Sequence, residues 1–439
     1  MRQPIYTTLA ALTGAALLIT SCSNPDNNEA ASDPTNEAGH AHEHEHDHEH
    51  DHDHAAEGQE EVAELPTRLI FTHDGGVTTL DDEGKVLEES ELPGFLRINN
   101  AGDDRHALVT QGDKFRLYDS GLVTKPHGDH NHYFVQEPTL DDATFNAPHA
   151  GHVVHHDGYT ALFADGSGVA EIYKTDELAE GKNLSAPSIP AHPHHGVAVP
   201  LEDGSVVVTK GTEDERHTIQ HLDEDGEVLS ETTKCPGVHG EAAAGNGHIF
   251  FGCEDGPVVF DGKEFHKVDV SEYAGAGGYQ RSGNAAGSEE SDVILADNKT
   301  EEDAEFERPE SVALINTADN TARTVDLGSS YWFRSLARGP LGEGLVLTYD
   351  GNLNIIDPDT GEIEDKVKAI DEWKEKEEWQ QPGPILKSAD GYATSPMPRI
   401  KNSSWWTCTS AKSPSALNWT SSPPKWPSCR TDKAVSLPP

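Results

Sequence analysis

The sequence predicts an all-β protein, a β-propeller of seven or eight blades preceded by a disordered His/Asp/Glu-rich tether. Three observations predict it. From about residue 65 short alternating or apolar runs come in pairs bounded by Gly, Asp or Asn, such as GYTALFADG with GVAEIYKT and GSVVVTKG with HTIQHLDEDG. Alternation at period two with turn residues at both ends is strand–turn–strand chemistry. The pairs also repeat: Asp157-Gly158 and Asp203-Gly204 stand 46 residues apart, and Asn246-Gly247 follows 43 later. A spacing of about 40 to 50 residues with several strands per unit is that of a propeller blade, and two packed sheets would not predict so regular a period. Finally, helical periodicity is nearly absent; the one candidate, AIDEWKEKEEW around Trp373, reads as an excursion between strands.

Units are expected to begin near residues 92, 145, 190, 237, 280, 331 and 384, within a propeller spanning 65–400. The run RLIFTHDGGVTTLDDEG is expected to complete the last blade. After about Ile400 the pattern stops. The stretch 401–439 holds four of the seven Trp, two of the five Cys (Cys408 and Cys429) and a single acid, Asp432, and reads as an aberrant, frame-shifted or replaced tail that would deprive the last blade of its outer strands.

The N-terminus sets the compartment. Arg2 precedes an apolar core, LAALTGAALLI, that is too short to span a bilayer and is of signal-peptide length. It ends in Ile19-Thr20-Ser21-Cys22, an aliphatic residue and two small ones before a cysteine. Residues 1–21 are therefore expected to be a lipoprotein signal peptide and Cys22 the lipidated N-terminus of an exported, cell-envelope protein, periplasmic or on the outer face of the membrane and held there by lipid alone. Cys235 and Cys253 flank the hairpin VHGEAAAGNGHIFFG, and an exported chain meets oxidising conditions, so these two are expected to form a disulfide. A net charge of -46, from 78 acidic and 32 basic residues, excludes nucleic acid as a partner and suits a monomer that attracts cations.

Residues 22–64 form the tether. From 23 to 64 there are fourteen acids, eight histidines and no Lys or Arg, so the segment cannot bury enough apolar surface to offset the entropy of ordering it. The histidines are His40, His42, His44, His46, His48, His50, His52 and His54. Neutral imidazoles on a lattice of carboxylates capture divalent metals at many weak sites. The formal HExxH at His42–His46 lacks the helix that such a motif needs.

A more specific set lies in the repeat. His149 and His195 each precede an aligned Asp-Gly turn by eight residues, and His239 precedes Asn246 by seven. The three occupy near-equivalent places at the start of the first strand of successive units. That strand lines a propeller's central channel, so three imidazoles would meet at one point. Three His with an open fourth position suit a zinc site that must also release its ion. Arg97, Arg281 and Arg334 fall near the same place in other units, where they would pair with channel carboxylates or hold an anion. A further group, His127, Asp129, His130 and His132 in HGDHNHY, reads as a metal site in a loop, either over the channel or on the surface. His152, His155, His156, His192 and His194 flank these positions without a clear role, and His217, His221 and His266 read as exposed. No nucleophile elbow, phosphate loop or dinucleotide fingerprint is present, which argues against an enzyme.

The motifs HGDHNHYFV, PHAGH, HPHHGVAVP and CPGVHGE, following an export signal and a His/Asp/Glu tract, resemble those of the extracytoplasmic zinc metallochaperone AztD family. The resemblance covers roughly residues 40 to 400. It implies a propeller that binds Zn²⁺ and passes it to the solute-binding protein of a zinc ABC importer, with His127, His130, His132, His149, His195 and His239 as ligands. Two other functions fit parts of the sequence: a metal-dependent propeller hydrolase or lactonase in which the channel histidines activate water, and an interaction propeller with a metal-buffering tail.

Overall fold

The structure, a computed structural model, describes residues 55–73, 75–178, 188–190, 192–375, 377–378, 380–381, 383–389, 392–397 and 406–409. The signal peptide, Cys22, the histidines from His40 to His54 and most of the tail lie outside the described residues.

Eight antiparallel sheets follow one another along the chain in a propeller-like arrangement. Blade 1 comprises Arg68–His73, Gly76–Asp81 and Val86–Glu91. The inner strands of blades 2 to 8 are Leu96–Asn100, Ala150–His156, Ala198–Pro200, Glu241–Ala243, Ala285–Ser288, Tyr331–Arg338 and Lys387–Ala389. All but one begin within five residues of an expected unit start, and Ala198–Pro200 begins eight after its own. Blades 2 to 7 have four strands, and the first strand of each sits at one edge of its sheet. First strands of neighbouring blades touch one another, for example Ala150–His156 against Ala198–Pro200 and Ala285–Ser288 against Tyr331–Arg338. They therefore form the inner ring around a bore.

The apolar residues explain why the sheets stand side by side. Middle strands such as Ile249–Phe251 and Val258–Phe260 are buried throughout, because both faces of the sheet are covered. The core is a series of layers between neighbouring blades. Leu108, Phe115, Phe145 and Leu162 fill one between blades 2 and 3. Phe250, Val259, Ile294 and Ala313 fill one between blades 5 and 6. Leu295, Leu314, Val346 and Ile356 fill one between blades 6 and 7. With apolar contact spent between blades, the inner edges are left for polar side chains.

Three expectations are corrected. RLIFTHDGGVTTLDDEG does not complete the last blade; with Val86–Glu91 it forms a sheet of its own, since the turn after Asp81 lets a third strand pair locally. The last blade gains a third strand, Trp406–Thr409, from the tail itself, pairing with Tyr392–Met397. Glu60–Val62, placed in the tether by composition, is a strand paired with His130–Val135; its backbone satisfies an open hairpin edge that composition does not report. The segment around Trp373 is, as expected, an excursion between the strands Ile363–Lys368 and Lys387–Ala389, and the Trp373 indole donates to Thr348 O and packs on Trp332 and Tyr349. Among the described residues no helix is long and apolar enough to cross a membrane.

Cys235 and Cys253 are joined, with Cα atoms 4.9 Å apart, closing a loop of sequence separation 18 around the start of blade 5. Both are fully buried. Replacing both with Ala is expected to lower unfolding free energy by about 3 kcal/mol, from the loop-closure entropy restored to the unfolded chain. Urea denaturation checks this; an unchanged midpoint would show that the link adds nothing to stability.

Candidate metal centre

Among the described residues, two groups of three histidines bring ring nitrogens within 4.8 Å of one another: His152, His195 and His239 in the bore, and His127, His130 and His132 on a hairpin.

The bore group is built by three successive blades. His152 is the third residue of the inner strand of blade 3, and His195 and His239 lie in the segments that lead into the inner strands of blades 4 and 5. Each ring is fixed through Nδ1. His152 Nδ1 donates to Gly196 O at 2.9 Å, and His239 Nδ1 to Gly283 O at 2.7 Å, each acceptor lying 44 residues on, in the next unit. His195 Nδ1 donates to Asp165 Oδ2 at 2.6 Å. With Nδ1 carrying the proton, Nε2 of a neutral ring offers only a lone pair. His195 Nε2 and His239 Nε2 face each other at 3.2 Å. Tetrahedral zinc–imidazole bonds place nitrogens about 3.3 Å apart, so this separation is that of two ligands of one ion. The backbone is shaped for this approach: a Cβ on Gly252 would fall 1.7 Å from Ser282 O and 2.7 Å from His239 O.

Burial pushes His152 down to about 4, helped by the charge of His195. Burial pushes His239 down to about 3, helped by His152 and His195. Both rings are therefore neutral near pH 7, the form a metal requires. Glu241, two residues beyond His239, is half-buried and pushed up to about 8 by burial.

His149 does not join this group, which corrects the expectation. It is exposed, with φ of 50°, and its N–H donates to Asp113 Oδ1. A bulge between Ala150 and Val153 breaks the strand register, and counting back eight from the Asp157 turn overshoots His152, which stands five residues before it. A signal for His152 was present: it precedes His195 by 43 residues and His195 precedes His239 by 44, a more even spacing than 46 and 44 from His149. Of the other flanking histidines, His194 is buried and used by His192 O and Thr209 Oγ1. His156 donates to Pro200 O, and His155 and His192 are exposed. His221, read as exposed, is buried against Phe260 and bonded to Ser205 Oγ.

The second group lies on a hairpin, Leu122–His127 and His130–Val135, inserted between the third and fourth strands of blade 2. His127 Nδ1 lies 3.1 Å from His132 Nε2, and His130 Nε2 lies 3.2 Å from it. His132 Nδ1 donates to Glu61 Oε1 at 2.8 Å, so the strand Glu60–Val62 orients the site from outside the motif. Sequence reasoning missed Glu61, which stands 71 residues away from His132 in a segment of tether composition. Asp129 is exposed and accepts from His130 Nδ1 at 3.2 Å; it is not among the converging nitrogens.

Asp165 is the carboxylate behind His195, and such partners tune metal affinity by roughly 10–100-fold. Asp165→Asn keeps an acceptor and removes the charge, and is expected to weaken zinc at the bore by about tenfold; Asp165→Ala should weaken it more. Chelator competition checks this, and unchanged affinity would remove Asp165 from the site. The lowered pKa values also set a pH dependence. The metal-free fold keeps their full contribution above about pH 6.5, where an unfolded imidazole is also neutral. It loses stability as pH falls toward about 4 and about 3, because the unfolded chain takes up protons that His152 and His239 resist. Thermal melts at falling pH should show this slope, and His152→Gln with His239→Gln should flatten it.

No family model matches the chain. The zinc chaperone AztD of Citrobacter koseri is 28% identical over 341 residues, covering 75% of this chain and 78% of that protein. The crystal structure of Citrobacter koseri AztD matches with a TM-score of 0.66 at 22% identity, over 75% of this chain and 89% of that one. The apo structure of the same protein matches with a TM-score of 0.64 at 21% identity, with the same coverage. In sequence and in fold, this chain is similar to the zinc chaperone AztD.

Proposed function

We propose that the protein is a zinc metallochaperone of the cell envelope, which holds Zn²⁺ at His152, His195 and His239 and passes it to the solute-binding protein of a zinc ABC importer. The observation that carries this reading is the convergence of one ring nitrogen each from His152, His195 and His239 within 4.8 Å, with the Nδ1 of each ring bonded elsewhere. An all-imidazole donor set suits zinc, and the similarity to a zinc chaperone supports the same cargo.

In this reading Cys22 carries the lipid, and the tract from His40 to His54 collects zinc at weak sites on a short leash, which raises its effective concentration near the folded domain. His127, His130 and His132, oriented by Glu61, form an exposed second site. The bore triad supplies three imidazole ligands and leaves a fourth position open. A partner's side chain can enter there and take the ion by stepwise ligand exchange, so that no free aqueous ion need form. The role is transfer of cargo between proteins, with no bond of a substrate made or broken.

A chain lacking residues 23–54 tests the division of labour. It is expected to retain two tightly bound zinc ions, measured by chelator competition and elemental analysis. His152→Ala/His239→Ala should remove one and His130→Ala/His132→Ala the other. Loss of all tight zinc on truncation would reject the reading. Mixing the loaded protein with a metal-free solute-binding protein and separating the two should show zinc on the partner, faster than a chelator of equal affinity draws it off.

A further inference from the structure

The three bore histidines are held in different ways. His152 stands within a paired strand of seven residues, Ala150–His156. His195 is held at its ring by the carboxylate of Asp165. His239 has neither support. It lies in an irregular segment, CPGVHG at 235–240, that leads into an inner strand of only three residues, Glu241–Ala243. The ladder of that strand ends at Glu241, opposite Phe251. Gly237 and Gly240, on either side of His239, have φ of 60° and 77°, where the backbone carries no restraint from a Cβ.

Two residues past Phe251 the chain reaches Cys253, and the disulfide ties it back to Cys235. The link closes a frame around His239. His239 N–H donates to Gly252 O at 3.0 Å, and Gly252 N–H to Gly240 O at 3.3 Å. Ser282 N–H donates to Cys253 O at 3.4 Å, and Gln280 N–H to Glu254 O at 2.9 Å, so the 252–254 side of the frame is moored to blade 6. Blade 6 also supplies Gly283 O, the acceptor of His239 Nδ1. Backbone hydrogen bonds contribute little net, whereas a cross-link removes open conformations outright. The disulfide is the covalent member of the contacts that set His239 against its own acceptor.

We propose that the Cys235–Cys253 disulfide positions His239 as a zinc ligand, so that the bore holds zinc more tightly in the oxidised chain than in the reduced one. The inference rests on the reading of His152, His195 and His239 as the zinc site. Reduction by a dithiol breaks the S–S bond and places two electrons and two protons on the two Sγ atoms, while the dithiol closes to its own disulfide. The segment 235–240 then keeps only its hydrogen bonds and core contacts, and His239 no longer stands at a fixed distance from His195. Both sulfurs are buried, so a reductant reaches them only when the segment opens, and an ion bound to His239 opposes that opening. Linkage makes the coupling reciprocal: zinc must protect the disulfide by the same factor by which the disulfide tightens zinc.

The test uses the full chain with His130→Ala and His132→Ala silencing the hairpin, against a chelator that outcompetes the tether. Adding Cys235→Ala and Cys253→Ala is expected to weaken zinc at the bore about tenfold, the low end of what losing an orienting partner costs a metal site. The titration is run well below the melting temperature, with circular dichroism showing the variant folded. In a His239→Gln background the same two substitutions should cost no further affinity, which separates positioning from a general loss of stability. Should the double alanine variant fail to fold, the chain with its cysteines intact is equilibrated in buffers of oxidised and reduced dithiothreitol, with free Zn²⁺ clamped by a metal buffer. Saturating zinc is expected to make the midpoint about 30 mV more negative, the two-electron equivalent of tenfold. Unchanged zinc affinity in the folded alanine variant would overturn the inference and leave the zinc reading intact. So would a midpoint that zinc leaves in place, or one that it makes less negative because free thiolates recruit the ion. Absence of tight zinc in the disulfide-bonded chain would overturn both.

Discussion

The bore site depends on where three Nδ1 protons go. Two are given to backbone carbonyls of the following blade and one to Asp165. Those bonds stop the rings turning and leave Nε2 of each as the remaining nitrogen for a metal. Because Gly196 O and Gly283 O belong to neighbouring blades, the spacing of the imidazoles is the spacing of the sheets. The close pass of Gly252 under His239 is part of the same constraint, since no larger residue fits between that strand and Ser282.

The distribution of apolar contact makes such a site affordable. The layers between blades are filled by Phe, Leu, Ile and Val, and the inner edges carry little of that burden. Polar groups can therefore gather at the inner ring without opening a cavity in the core. Imidazoles from three successive blades occupy one arc of the ring.

The two histidine groups differ in how water reaches them. On the hairpin, His130 is exposed and the residues are neighbours in sequence. In the bore, burial disfavours the imidazolium form of His152 and His239 and holds both rings ready for a cation. An exposed site exchanges readily; a half-buried one with locked rings retains its ion until a competing ligand enters the open side. That contrast suits a protein which must first gather a metal and then keep it.

Composition and periodicity carried most of the architecture. The repeat, the blade starts, the disulfide and the chemistry of both histidine motifs were legible because turn residues, alternation and metal-ligand side chains are local properties of the chain. His195 and His239 were legible because each stands at a fixed distance before a turn. His152 was hidden behind His149 by the bulge between Ala150 and Val153, which no turn-based alignment registers. Glu61 was hidden because a strand added to a hairpin edge is held by backbone pairing, and its own residues read as tether. The sequence by itself determined that this is a repeated β-sheet protein rich in metal-ligand side chains. Only the tertiary structure decided which histidines converge and which charges face them, because convergence depends on register and on the packing of blade against blade.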